Sequence, residues 1–569
     1  MALFFLLWAG VISARLFELQ VLRHSQLKAE VNGQSRNKRS IIPERGAILD
    51  RNGKVLAETL PAPSVCFQPL KDDALDSRLD KLNRLKKILD LSESDYQKIK
   101  ARIVNNENFT FLKRKTDDET ARRAMALNLD GVFLQEENKR FYPLGPLAAH
   151  VLGGVDVDNE GQSGIEFRFN STLGGEKGQI LSFRDAYRRD YQFEILKPAS
   201  AGKDIVLTID ETLQYIAEKE LEKAVAANNA NWGTVIVSHP ASGEILAIAN
   251  CPSYDPNDFP PSSPEAGRDR AIQDIFEPGS TFKIVTASAA LETNLVRLTD
   301  YFDCSKGSIQ IGRSPVRDHK LMGILSFPDV IIHSSNVGTI QVGLRVGPEA
   351  LYNMVKAYSF GEKTGIELPG EGEGMLRSLK IWNKVSTLPH IAIGYEIGVT
   401  ALQMLQAMNV VANRGLMLPA RIVKKIAGRP SSAAISQGPP ERVISEQTAS
   451  ELTEIFRRVV EEGTGTAAQI PGYDIAGKTG TAQKYDRVAR SYSSAKHLAS
   501  FIGFAPAEKP VISIIVVLDE PKIGEHYGGQ VAAPIFREIA RRSLFYLHVL
   551  PRKLNSGLVV AAQLRDQKQ

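Results

Sequence analysis

Ser280 and Lys283 stand three residues apart in the segment Pro278-Gly-Ser-Thr-Phe-Lys283, and on a helix that spacing puts a hydroxyl and an amine on one face within mutual reach. Such a pair suits nucleophilic acyl transfer if the lysine takes the serine proton, which requires a neutral amine near physiological pH. Desolvation among apolar neighbours and a second nearby cation both push a lysine in that direction. The run Thr281 to Leu291 is apolar on nearly all sides, so a buried helix is expected to start at Ser280, where its dipole favours a developing negative charge. The motif selects nothing by itself, because Ser-x-x-Lys recurs at Ser25, Ser35, Ser200 and Ser493.

Two later segments supply the missing company. Ser334-Ser-Asn336 offers a hydroxyl able to relay protons and an amide able to orient a substrate amide, although Ser-x-Asn is commonly only a cap or an Asx turn, as Ser35-Arg-Asn37 illustrates. Lys478-Thr479-Gly480-Thr481 reads as an exposed strand whose glycine leaves room for substrate, an edge with which an extended peptide can pair. Lys478 is then the second cation. A second Lys-Thr-Gly at Lys363-Thr364-Gly365 runs into Ile-Glu-Leu-Pro-Gly-Glu, a turn-bound end, and is expected to be structural.

The elements that must hold these groups follow from length and pattern. A chain of 569 residues calls for two or more domains, and 43% hydrophobic with 24% charged residues is ordinary for folded protein. A net charge of +5 from scattered basic residues gives no footprint for nucleic acid. Cys66, Cys251 and Cys304 form no disulfide framework or zinc spacing. The apolar run from Ala2 continues past Arg15 to Leu22 as one helix, read as an uncleaved membrane anchor. Arg23, Lys28, Arg36, Lys38 and Arg39 behind it would by themselves place the following chain in the cytoplasm, so a basic leader is expected to be missing upstream.

Ile41 to Ala57 reads as a hairpin about Asn52-Gly53. Asp72 to Leu129 is charged and helical, a packing arm with a cap-like Ser92-Glu-Ser-Asp95. Glycine pairs punctuate the chain to a boundary near Gly202. Beyond it come a helix over Glu211 to Ala227, a strand-turn-strand, apolar strands at Leu498–Phe504 and Val511–Leu518, and a helix after Pro534. The expected α+β organisation is an anchor (1–22), a β-rich elongated pedestal (23–202), a catalytic domain of antiparallel sheet flanked by helices (203–550) and a mobile polar tail (551–569).

Ser280-Thr-Phe-Lys283, Ser334-Ser-Asn336 and Lys478-Thr-Gly480, in that order, resemble the three motifs of penicillin-recognising serine transpeptidases. Arg45-Gly46 through Asp50-Arg51-Asn52-Gly53, and Gly161-Gln-Ser-Gly164-Ile-Glu166, are similar to pedestal motifs of class B penicillin-binding proteins. Lys478 through Lys484, Ala499 through Pro506 and Tyr527-Gly-Gly529 through Pro534 resemble the septal branch rather than the elongation branch. With no repeat module following Phe536, a Gram-negative septal enzyme is expected over a sporulation-type relative.

The resemblance implies a β-lactamase-like fold and a target of β-lactams. It implies that Ser280 attacks the penultimate D-alanine carbonyl of a peptidoglycan pentapeptide stem from lipid II, releases terminal D-alanine and passes the acyl group to an amine. Lys283 would be the base, Ser334 the relay, and Asn336 a partner of both Lys283 and the stem amide. Backbone N–H groups of Ser280 and Thr481 would form the oxyanion hole, and Lys478 with the Thr479 and Thr481 hydroxyls would hold the carboxylate. No metal or cofactor is implied. The implied setting is a single-pass protein of the inner (cytoplasmic) membrane, its catalytic domain periplasmic at the division septum, beside a SEDS-family glycosyltransferase and other divisome membrane proteins. A D,D-carboxypeptidase or β-lactamase using the same groups, and a β-lactam sensor or scaffold, are the competing classes.

Overall fold

The structure is a computed structural model that describes residues 1–25, 36–70, 72–184, 190–312, 314–383, 385–428, 439–486, 491–524 and 526–552; the expected tail lies outside them from residue 553 onward. Helix α1 (Ala2–Phe17) passes into one π-helical turn, Glu18–Leu22. Together Leu3–Leu22 make a 20-residue stretch long and apolar enough to cross a membrane.

The described chain folds as two compact units that interleave in sequence, with 48–57 and 141–169 belonging to the second unit alongside 205–569. The cut expected after residue 202 is therefore one of several crossings. In the first unit, strands β1 (Arg36–Ile41), β6 (Gly178–Arg184) and β7 (Asp190–Lys197) form an antiparallel sheet in the order β1-β6-β7. Strand β3 (Val55–Phe67) pairs with β4 (Thr110–Lys113) and β5 (Val132–Phe141). The charged segment folds as helices α2 (Leu75–Ile88), α3 (Glu93–Val104) and α4 (Asp118–Met125). Their apolar stripes, Leu82 and Leu85 on α2 and Ile99 and Ile103 on α3, bury against Val65, Phe67 and Leu112. Ser92 caps α3 by accepting from Asp95 N, as its sequence pattern suggests.

The expected hairpin is shorter than its apolar flank. Ile41 ends β1, Pro43 has no N–H to give a ladder, and pairing resumes only at β2 (Ile48–Leu49) opposite Ala57 and Val55. Its turn is closed by the Asp50 carboxylate, which accepts from Asn52 N at 2.8 Å and Lys54 N at 2.9 Å.

The second unit is built on a five-stranded antiparallel sheet of β8 (Trp232–His239), β9 (Glu244–Cys251), β10 (Ala476–Asp486), β11 (Ser491–Ala505) and β12 (Ile512–Asp519), in the order β9-β8-β12-β11-β10. Helices α5 (Glu211–Ala227) and α10 (Gly528–Tyr546) cover one face, sealing Leu213, Leu221 and Phe536 against Val235, Val516 and Phe501. Helix α8 (Ala401–Ala412) packs on β11 and β12, and helix α9 (Glu446–Glu461) packs on β10. Helix α10 begins six residues before Pro534, not after it. Its start is set by contact, since a Cβ on Gly528 would lie 2.2 Å from Gly480 O and 2.3 Å from Ser500 O.

Candidate active site

Strand β10 is the sheet edge that carries the lysine motif. Cross-strand register places Lys478 at the end of a row running through Ile502, Ile515, Ile236 and Ile248, on the face opposite the α5/α10 core. Thr479 takes the other parity and heads the row Phe501, Val516, Val235 and Ala249. Lys478 is thus fully buried on the side that meets the nucleophile motif.

Ser280 does not open an α-helix. It sits second in a 3-10 turn, Gly279–Phe282, and α6 (Lys283–Glu292) continues from it. The tighter turn serves the pair well, because residues three apart eclipse in a 3-10 helix, and the Ser280 N–H is left among the unpaired first donors. Among the described residues no hydrogen bond joins the Ser280 hydroxyl to Lys283, whose amine is taken up by Ser334 and Asn336, a looseness common where substrate is absent.

Lys283 is fully buried and donates to Ser334 O at 2.7 Å, Ser334 Oγ at 3.2 Å and Asn336 Oδ1 at 2.9 Å. Lys478 Nζ reaches the same Ser334 Oγ at 2.9 Å. One hydroxyl therefore bridges both amines. Ser334 manages this in the left-handed backbone region, φ 56°, which turns its carbonyl and its hydroxyl onto Lys283 at some strain cost. Burial drives Lys283 down to about 7, and burial together with the Lys283 charge holds Lys478 well below the usual lysine range. Burial is the cause common to both; the Lys283 charge adds to it at Lys478, whereas the Asp318 carboxylate opposes it at Lys283.

A Cβ on Gly480 would lie 2.3 Å from Ser500 Oγ and 2.8 Å from Thr281 Cγ2, so the glycine admits the Ser280 turn against β10. The other expected groups converge. Gln483 N–H donates to Tyr395 Oη at 3.2 Å, away from β11, so by the two-residue period the Thr481 N–H also points to the open edge, where an oxyanion could sit beside Ser280. Thr481 Oγ1 accepts from Gly528 N at 3.0 Å, which leaves its proton free to donate. Lys363-Thr364-Gly365 is structural: Glu371 binds Thr364 N and Gly365 N, and Lys363 pairs with Glu373 at 3.8 Å.

Two contributors escaped the sequence reading. Asp318 accepts from Asn336 N, from Val337 N at 3.1 Å and from Ser335 Oγ at 2.8 Å, capping helix α7 (Asn336–Val346). Asn336 Nδ2 donates to Arg317 O at 3.0 Å, which fixes the amide with its oxygen on Lys283. A lone aspartate in Arg-Asp-His-Lys carries no spacing signal. Thr464 Oγ1 lies 2.7 Å from Thr479 Oγ1, and its Gly-Thr-Gly-Thr setting was a usable hint. Asp318→Ala is expected to slow Ser280 acylation by ten- to a hundredfold by freeing Asn336, with rescue by Asp318→Asn only partial; stopped-flow acylation by a fluorescent penicillin measures it.

A buried lysine beside a serine on the turn into a helix, a second lysine on a sheet edge and a bridging serine hydroxyl define a serine acyltransferase of the penicillin-recognising class. Residues 233–541 match the penicillin-binding protein transpeptidase domain, and residues 40–207 match the penicillin-binding protein dimerisation domain. The chain is 35% identical over 556 residues to the probable peptidoglycan D,D-transpeptidase PenA of Neisseria meningitidis, covering 96% of this chain and 92% of that one. It is also 35% identical to stage V sporulation protein D of Bacillus subtilis, covering 95% of this chain and 84% of that one. The crystal structure of penicillin-binding protein 3 from Mycobacterium tuberculosis with aztreonam superposes with a TM-score of 0.69 at 28% identity, over 91% of this chain and 99% of that one. The chain belongs to the class B penicillin-binding proteins, with a dimerisation domain ahead of a serine D-Ala-D-Ala transpeptidase domain.

Proposed function

We propose that this protein cross-links peptidoglycan stems at the division septum through an acyl-enzyme on Ser280. The observation that carries the reading is the Ser334 hydroxyl held between Lys283 and Lys478, one turn from a serine whose own hydroxyl is unengaged. Neutral Lys283 takes the Ser280 proton as Oγ attacks the penultimate D-alanine carbonyl. The N–H groups of Ser280 and Thr481 stabilise the oxyanion, an effect whose loss costs about a hundredfold or more. The proton passes through Ser334 to the leaving D-alanine, and an acceptor amine then takes the acyl group by the reverse route. Lys478 with the Thr479 and Thr481 hydroxyls holds the terminal carboxylate, aided by Thr464 and by the positive end of α10, where Gly528 N meets Thr481.

Resemblance of 478–484, 499–506 and 527–534 to the septal branch supports septal work, Leu3–Leu22 supports single-pass anchoring in a membrane, and the family resemblance supports catalysis outside the cytoplasmic membrane. A SEDS-family polymerase and divisome membrane proteins are the proposed partners. The test combines a D-alanyl-D-alanine-ended peptide with an excess of acceptor amine. D-Alanine release with formation of the amide is expected, whereas acyl transfer to water alone would make the protein a hydrolase. A fluorescent fusion collecting at midcell is expected; uniform side-wall signal would assign it to elongation.

A further inference from the structure

The connection between β12 and α10 is tied to β10 and β11 at each of its ends. Between the pairs Gln483–His497 and Tyr485–Tyr492 the β10–β11 ladder is interrupted, and Lys484 falls at the break. From there its side chain reaches past β11 to the end of β12. Its Nζ donates to Asp519 Oδ1 at 2.9 Å, to Asp519 Oδ2 at 3.1 Å and to Glu520 Oε1 at 2.7 Å. Asp519 is 2% exposed, and Glu520 turns the chain in the left-handed region, φ 46°, with its N–H on His497 O at 2.8 Å. Burial opposes the Lys484 charge, and the Glu520 and Asp519 carboxylates outweigh it, holding the ammonium above its ordinary range.

The far end is held by rings. His526 stacks on His497 with ring centres 4.0 Å apart and planes 22° apart, and Tyr527 packs on His526 at 4.5 Å. His497 is buried and stands opposite Gln483, so the stack seats the connection on β11 two residues along the sheet from Thr481. Gly528 follows, with its N–H on Thr481 Oγ1 at 3.0 Å and its backbone so close to Gly480 O that no side chain would fit. One stretch of chain thus runs from an ion cluster on residue 484 to a hydrogen bond on residue 481 of the same strand. The cross-linking scheme uses neither Lys484 nor His526.

We propose that Lys484 and His526 are positioning residues for Thr481, the hydroxyl that holds the ligand's carboxylate. Through the connection they keep Gly528 N on Thr481 Oγ1, and accepting that bond directs the Thr481 proton toward the carboxylate of a donor stem or of a β-lactam. Neither residue touches the ligand itself. The arrangement tolerates little slack, because hydrogen bonds weaken steeply with angle and a misplacement of about 1 Å is costly. Removal of Lys484 leaves the Asp519 carboxylate buried without that cation, which favours movement of the β12 end toward water. The inference rests on the transpeptidase reading, and two probes keep the two apart. Benzylpenicillin carries the carboxylate and its methyl ester lacks the charge; the rate of adduct formation with each, read by intact-mass spectrometry, gives a ratio internal to each variant.

The wild type is expected to be acylated by benzylpenicillin about a hundredfold faster than by the ester. In Lys484→Met that preference falls to about tenfold, in Lys484→Arg it stays within about twofold of wild type, and in His526→Ala it falls about threefold. A general loss of activity cancels from the ratio, and a thermal unfolding scan reports any fold defect. His526→Ala leaves no buried charge unpaired, so it carries the test even where Lys484→Met unfolds. An undiminished preference in both variants overturns the positioning role. A preference that falls in folded Lys484→Met alone overturns it too, since that pattern marks a direct field of the ammonium on the ligand. Equal rates with penicillin and ester in the wild type remove the Thr481 contact and the proposal, while Ser280 acylation stands. No adduct with either compound sinks the transpeptidase reading, and the proposal with it.

Discussion

Ser280→Ala is expected to form no covalent adduct with benzylpenicillin and to lose D-alanine release by at least about a thousandfold, the scale on which removal of a nucleophile is felt. The fold should not register the change. The Ser280 hydroxyl has no partner among the described residues and the 3-10 turn is held by its neighbours, with Thr281 Oγ1 donating to Pro278 O at 2.9 Å and Gly279 N donating to Gly394 O at 3.0 Å. Intact-mass spectrometry after incubation with the antibiotic reads the adduct directly. A stoichiometric adduct on the variant would move the nucleophile elsewhere, and the Ser334 hydroxyl, already bonded to both lysines, is the one other serine so placed among the described residues.

Lys283→Met should be nearly as inactive yet should change stability in the opposite sense from most losses of a buried partner. The Lys283 ammonium is driven from an ordinary 10.5 to about 7 by burial. Between about pH 7 and 10.5 the unfolded chain therefore holds this proton and the folded one does not, and the resulting penalty grows as pH falls from 10.5 and is complete below about 7. Relative to the Met variant, wild-type stability should fall by about 3 kcal/mol on going from pH 9 to pH 6. Denaturant melts of both proteins across that range measure it. The acylation rate constant of the wild type should rise through the same region as the amine becomes neutral, and should level off above it. A pH-independent stability difference would show that Lys283 keeps an ordinary affinity for its proton, and would remove it as the base.

The two predictions separate what Ser280 and Lys283 do from how they are held. The hydroxyl is spared structural work and the amine is kept in a place that opposes its charge, which is the usual division at sites where function is favoured over stability.

Much of this was legible in the chain itself. The order Ser280-Lys283, Ser334-Asn336, Lys478-Gly480 marks the candidate site out from four Ser-x-x-Lys repeats at Ser25, Ser35, Ser200 and Ser493, because only there does a buried-helix start go with a following Ser-x-Asn and a strand-borne Lys-Thr-Gly. The cap of α3 and the amphipathic stripes of α2, α3 and α5 were equally plain, since a helix states its buried face within a few turns. Other features had no local signature. Asp318 reaches Asn336 across 18 residues of chain, and Tyr395 reaches Gln483 across 88. Both contacts exist only because the fold closes loops whose composition reveals nothing about their ends. The same holds for Gly480, whose reason is the close approach of Thr281 and Ser500, and for Gly528, where the sheet and not Pro534 decides the start of α10.

The sequence by itself therefore determined which groups are proposed for the chemistry, because hydroxyl, amine and amide are properties of residue type and short spacing. The tertiary structure alone decided that one hydroxyl lies between two buried amines, because desolvation and mutual repulsion depend on distances that only packing sets.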